Sequence, residues 1–163
     1  MQAMRVFAAL CWVAVFGFFK GVAANAETLL VIEDESNGTV TEFDEADLLA
    51  LPQVSFETST IWTEGLRQFS GPTLVAVLEA AGYTGGDVTM VAINDYSVSI
   101  PKDGFDEEAP IVALRKNGAP FGVRDKGPLW VVYPYDSDPK FQSEAIYAYS
   151  VWQLNRIKVA GGR

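Results

Sequence analysis

The side chains that could do chemistry here are few in kind. The chain has 163 residues, no histidine and a single cysteine, Cys11. Without histidine, Ser-His-Asp and Cys-His catalysis are closed, as is imidazole-ligated zinc, copper or haem. What remains is carboxylates, aromatic rings and a modest set of cations. Glu33-Asp34-Glu35 and Asp106-Glu107-Glu108 are consecutive carboxylates, without the alternate spacing of a calcium loop. They read as solvated surface charge, so no metal site is expected. A pair of carboxylates can run acid/base chemistry in principle, but nothing in their spacing shows two of them converging.

Cys11 lies inside an apolar run from Val6 to Phe19 that follows a short start containing Arg5. Ala24-Asn25-Ala26 then precedes Glu27, a small-x-small cleavage pattern. The run is too short for a spanning helix, which needs about 20 apolar residues. Residues 1–26 are therefore expected to be a secretory signal, and 27–163 a single exported, periplasmic domain. Cleavage would take the only thiol with it, removing iron–sulfur and thiolate chemistry and leaving no disulfide. A domain of about 140 residues can hold its fold by core burial alone. Removing Arg5 and Lys20 from the 12 basic residues leaves 10 against 21 acidic ones, a charge of −11. That balance disfavours nucleic acid and anionic lipid as partners.

The elements that must position any site follow from pattern. Thr28–Ile32 and Thr39–Phe43 read as strands about the turn Ser36-Asn37-Gly38. Asp44 is placed to cap a helix over Glu45–Ala50, with Asp47 three positions on. Val54–Trp62 is Thr- and aromatic-rich, as strands are. Ser70-Gly71-Pro72 is expected to open a helix with Pro at its first position, Leu74, Val77, Leu78 and Ala81 forming the apolar stripe and Gly82 ending it. Val88–Ile93, Tyr96–Ile100, Ile111–Leu114, Leu129–Tyr133 and Leu154–Val159 read as strands. Lys116-Asn117-Gly118 reads as a hairpin turn, and residues 138–149 carry helical character. Strands outnumber helices and gaps are short, so the expected class is α+β with mixed sheet.

Four segments in order carry a resemblance. They are Phe69-Ser70-Gly71-Pro72-Thr73-Leu74-Val75-Ala76-Val77-Leu78-Glu79-Ala80-Ala81-Gly82, Asn94-Asp95-Tyr96-Ser97-Val98-Ser99-Ile100-Pro101, Gly127-Pro128-Leu129-Trp130-Val131-Val132-Tyr133-Pro134, and Trp152-Gln153-Leu154-Asn155-Arg156-Ile157-Lys158-Val159. Together they resemble the molybdopterin-binding domain of the sulfite oxidase family, over roughly residues 54–159. The resemblance implies that domain's mixed α+β fold with few short helices. It also implies where the family keeps its molybdenum anchors, and this chain departs from both. The metal-ligating cysteine would fall within Phe56–Trp62, which has no sulfur. The family's histidine and arginine, aligned on Pro128, fall on Asp125 and Trp130. A carboxylate would repel the cofactor's phosphate, and an indole cannot replace a bidentate guanidinium. The molybdenum cofactor is therefore not expected, although a serine oxygen such as that of Ser59 can serve as a molybdenum ligand in other enzymes.

Arg124–Pro134 also looks like a small exported branch of this fold, whose better-understood members bind free pterins and report to a membrane enzyme of cyclic-di-GMP metabolism. That likeness implies a pterin as ligand and the periplasmic part of a membrane signalling protein as partner. A pterin is a flat polar bicycle, suited to aromatic stacking and a few polar contacts without a metal. The candidates are Trp62, Trp130 and Tyr96 for stacking, Asp95 for the amino and ring N–H edge, Arg124 or Lys126 for a carbonyl or hydroxyl, and Tyr133 for a hydroxyl contact. Each has a plainer reading: Trp130 as core, Asp95 as a turn residue, Arg124 and Lys126 as solvated charge. Trp152 is expected in the core. The expected function is a non-catalytic pterin-binding module. The alternatives are a divergent molybdopterin-dependent oxidoreductase and a protein-interaction domain without ligand.

Overall fold

A computed structural model describes residues 26–160; the expected signal segment and the cysteine in it lie outside the described residues. The core element is a five-stranded sheet with the order β2-β1-β11-β5-β6. Its strands are β1 (Leu30–Asp34), β2 (Thr39–Phe43), β5 (Val88–Ala92), β6 (Ser97–Ile100) and β11 (Leu154–Val159). Only β1 and β11 run parallel, which ties the start of the domain to its end. Alternation explains the inward faces: Val88, Met90 and Ala92 of β5 are buried and the residues between them are not. In β11 the inward residues are Leu154, Ile157 and Val159, a spacing of three and then two. A register shift between Leu154 and Arg156 absorbs the extra residue, so both halves of the strand face the core.

A second, antiparallel sheet has the order β3-β4-β8-β9, from β3 (Gln53–Thr60), β4 (Thr63–Pro72), β8 (Arg115–Lys116) and β9 (Ala119–Pro120). Asn117 and Gly118 have φ of 53° and 77°, which builds the expected tight turn between β8 and β9. The pair β7 (Ile111–Ala113) and β10 (Trp130–Val132) is fully buried. It is linked to β4, because Leu114 N–H donates to the Ser70 carbonyl and Thr73 bridges Ile111.

Helix α1 (Glu45–Ala50) is capped as its sequence dictates: Asp44 accepts from Asp47 N–H and the Asp47 carboxylate accepts from Asp44 N–H. Helix α2 (Leu74–Ala80) starts later than expected. Pro72 is the last residue of β4, and Thr73 is the cap, its hydroxyl accepting from Ala76 N–H. Gly82, at φ 82°, ends the helix as expected. Helix α3 (Glu144–Tyr149) follows a short 3₁₀ turn at Pro139–Phe141. The strand expected to run to Trp62 ends at Thr60, and β4, for which the sequence shows no apolar alternation, pairs with β3 along nearly its whole length. Backbone pairing on both edges holds β4 in place while residues such as Leu66 stay 63% exposed.

Candidate functional site

A pocket of 330 Å³ opens where two hairpin turns meet α3 and the segment after it, lined by Trp62, Asn94, Tyr96, Tyr147, Trp152 and Gln153 together with Ala92, Ala148, Ser150 and Val151. Trp62 comes from the two-residue turn between β3 and β4. The Thr60 hydroxyl accepts from Trp62 N–H at 3.1 Å and pairs with the Thr63 hydroxyl at 2.8 Å, which holds the turn that projects the indole. The half-buried Trp62 ring stands edge-on to Trp152, Tyr147, Trp130 and Tyr135 at centroid distances of 5.7, 5.8, 6.0 and 6.1 Å. Such T-shaped contacts are the favoured geometry for ring quadrupoles.

The β5–β6 turn supplies the second wall. Ala92 N–H donates to the Tyr96 carbonyl and Asp95 N–H to the Ala92 carbonyl, with Asp95 at φ 63°. The Asn94 side-chain oxygen accepts from Tyr96 N–H, and the Tyr96 hydroxyl donates across the pocket to the Ala148 carbonyl at 3.3 Å. The third wall is the segment after α3. Tyr135 donates to the Ser150 hydroxyl at 2.7 Å, and that hydroxyl donates to the Ile146 carbonyl, so α3 is pinned at its end. Gln153, at φ 52°, is held on every side. Its N–H donates to the Lys126 carbonyl, its carbonyl accepts from Ile93 N–H, and its side-chain nitrogen donates to the Val123 carbonyl.

The seven residues singled out from the sequence fall into three groups. Trp62 and Tyr96 line the pocket. Lys126 borders it, its ammonium 4.9 Å from the ring centre of Trp152 and 5.9 Å from that of Trp130, both cation–π distances. The remaining four do not reach it. Trp130 is fully buried behind Trp62, packed edge-on against Phe69 at 5.2 Å, with no hydrogen-bond partner for its indole nitrogen among the described residues. Tyr133 is also buried; its hydroxyl donates to the Gly104 carbonyl, and burial pushes its phenol well above the ordinary range. Asp95 and Arg124 are exposed and outside the lining.

Trp152 corrects the expectation that it lies in the core: it is 38% exposed and forms a wall of the pocket. Asn94, Tyr147 and Gln153 carried no signal of their own, because they converge only when the β5–β6 turn meets the segment after α3. A smaller polar pocket of 250 Å³ adjoins, sharing Tyr147 and lined by Ser59, Asp136 and Gln142. Ser59 donates to the Asp136 carboxylate from its backbone N–H and its hydroxyl, which holds that carboxyl below its usual range. The acidic runs are used locally: Asp34 accepts from Ser36 and Asn37, and Asp106 from Glu108 and Ala109.

This arrangement of sheets has a solved counterpart. The crystal structure of the sulfane dehydrogenase SoxCD from Paracoccus pantotrophus superposes with a TM-score of 0.61 at 17% identity, over 82% of this chain. The fold is sulfite oxidase-like. This chain spans 38% of the length of that protein, and the likeness concerns the α+β scaffold. No protein-family model matches the chain, and no curated protein sequence matches it.

Proposed function

We propose that this protein is a non-catalytic module that binds a flat heterocycle of the pterin type in the pocket between Trp62, Tyr96, Tyr147 and Trp152. The carrying observation is the pocket itself: four aromatic side chains converge from two hairpin turns, helix α3 and the segment after it, with amide groups among them. Its volume sits at the small end of the range for small-molecule sites, roughly 300–1,000 Å³. Aromatic walls with a few oriented polar groups suit a planar ligand of that size.

A sulfite oxidase-like fold also raises a redox reading, a molybdopterin-dependent oxidoreductase. The donor set does not fit that cofactor. Residues 26–163 contain no thiol and no histidine. The Ser59 hydroxyl is engaged with the Asp136 carboxylate, and that anion beside Ser59 opposes a phosphate-bearing group. Trp130, at the position matching the family's arginine, is a buried indole.

We further propose an exported domain whose occupied pocket is read by the periplasmic part of a membrane signalling protein. Exposed Ile93, Tyr96, Val123 and Trp152 beside the pocket support a contact surface that a ligand could alter. Isothermal calorimetry with tetrahydropterin and oxidised neopterin tests ligand binding, and tryptophan quenching locates it. Absence of heat at millimolar ligand refutes the pterin reading. Stoichiometric molybdenum in protein isolated from its own cells would establish the redox reading instead.

A further inference from the structure

We infer that the pocket recognises the lactam edge of its ligand, a ring carbonyl beside a ring N–H, through the side-chain amides of Asn94 and Gln153. This deepens the pocket-binding reading above and rests on it. Each amide is already half used, and that fixes what the other half offers. The Asn94 oxygen accepts from Tyr96 N–H at 3.2 Å, which leaves its NH₂ group as the free donor. The Gln153 nitrogen donates one N–H to the Val123 carbonyl at 2.9 Å, which turns that end of the amide toward Val123 and leaves its oxygen as the free acceptor and its second N–H as a further donor. Neither remaining atom has a hydrogen-bond partner among the described residues, and both side chains line the same pocket. The bond from Ile93 N–H to the Gln153 carbonyl holds the two segments together.

Two hydroxyls of the lining are committed elsewhere, while the Tyr147 hydroxyl and the Trp62 and Trp152 indole N–H groups are further polar contacts on the aromatic walls. The Ser150 hydroxyl accepts from Tyr135 and donates to Ile146, and the Tyr96 hydroxyl donates to Ala148. No lining residue carries a carboxylate or a cation. Asn94 and Gln153 thus add a neutral amide donor and a neutral amide acceptor to the aromatic walls. Their complement on a flat ring is a carbonyl accepting from Asn94 and an adjacent N–H donating to Gln153. An amino group beside an unprotonated ring nitrogen presents the reverse order, donor to donor and lone pair to lone pair. Asp95, exposed and outside the lining, has no part in this edge.

The test compares pterin, which carries the lactam, with 2,4-diaminopteridine, which has the same bicycle with that edge reversed. Titrations of the full chain followed by calorimetry and tryptophan quenching should show pterin preferred by about tenfold or more, the size expected when a site's polar groups are left unpaired. Asn94→Asp keeps the acceptor for Tyr96 N–H and turns the free donor into an acceptor, so it should narrow or invert that preference. Trp152→Ala should weaken both ligands alike and leave their ratio unchanged. Equal affinity of the wild-type protein for the two ligands, or a ratio unmoved by Asn94→Asp, overturns the lactam assignment and leaves the pocket standing. Failure of both ligands to bind the wild-type protein overturns the lactam assignment and the pocket-binding reading together.

Discussion

Replacing Trp62 by alanine removes the one ring that touches four others in the aromatic cluster. Its centroid lies 5.7–6.1 Å from Trp152, Tyr147, Trp130 and Tyr135, all edge-on. A core tryptophan cut to alanine costs about 3–5 kcal/mol. Trp62 is half-buried and sits on a turn, so about 2–3 kcal/mol is expected. That is well inside the roughly 5–15 kcal/mol of a stable domain, and the variant should still fold. Urea unfolding followed by circular dichroism gives the readout. With a slope of about 1–3 kcal/mol per molar, the midpoint should fall by about 0.7–3 M. Ile61→Ala is the control: this neighbouring side chain is 66% exposed, and its loss should cost under about 0.5 kcal/mol. Equal, small shifts in both variants would refute the view that the hairpin turn inserts Trp62 into a packed cluster, and with it the shape of the pocket.

Gly71→Ala should be among the most damaging small substitutions. A Cβ there would lie 2.0 Å from the Val112 carbonyl oxygen and 3.0 Å from Ala113 Cα, both backbone, so β4 and β7 must part; a loss of at least about 3 kcal/mol in the same unfolding assay is expected. Burial raises the phenols of Tyr133 and Tyr135 above their ordinary value near 10.0. A raised folded value means the neutral form is favoured in the native state. Stability is therefore kept below that ordinary value and lost as pH climbs beyond it, with phenolate absorbance of these two rings appearing only on unfolding. Asp136 behaves oppositely. Ser59 N–H and its hydroxyl lower its folded value below 3.8, so the stabilisation is present above that pH and fades as pH falls through the lowered value. Acid unfolding of Asp136→Asn should show a weaker dependence on pH in that window than the wild-type protein.

The sequence alone was sufficient for whatever depends on neighbours along the chain. Strand β2 and strand β11, the capping box of Asp44 and Asp47, and the Asn117-Gly118 turn were legible because alternation, side-chain capping and positive φ are local properties. The order of motifs around Gly71-Pro72 and Gly127-Pro128 was enough to indicate the fold that the structural likeness supports. Strand β4 was not legible, since only Phe69, Gly71 and Pro72 at its end turn inward and the place of the rest comes from pairing with β3 and β8. The first helical residue moved from Pro72 to Leu74 for a related reason: Pro72 closes the β3–β4 ladder opposite Gln53.

Only the tertiary structure decided which aromatic rings face solvent. Trp130 and Trp152 both sit in apolar surroundings along the chain, yet the first is enclosed by β4, β7 and the β3–β4 turn while the second stands at an edge. Burial is set by what packs above a residue, and that comes from segments distant in sequence. The same holds for Asn94 and Gln153, which are 59 positions apart and share a pocket because Ile93 N–H meets the Gln153 carbonyl. Local chemistry determined the elements; the long-range packing determined which of their side chains form a site.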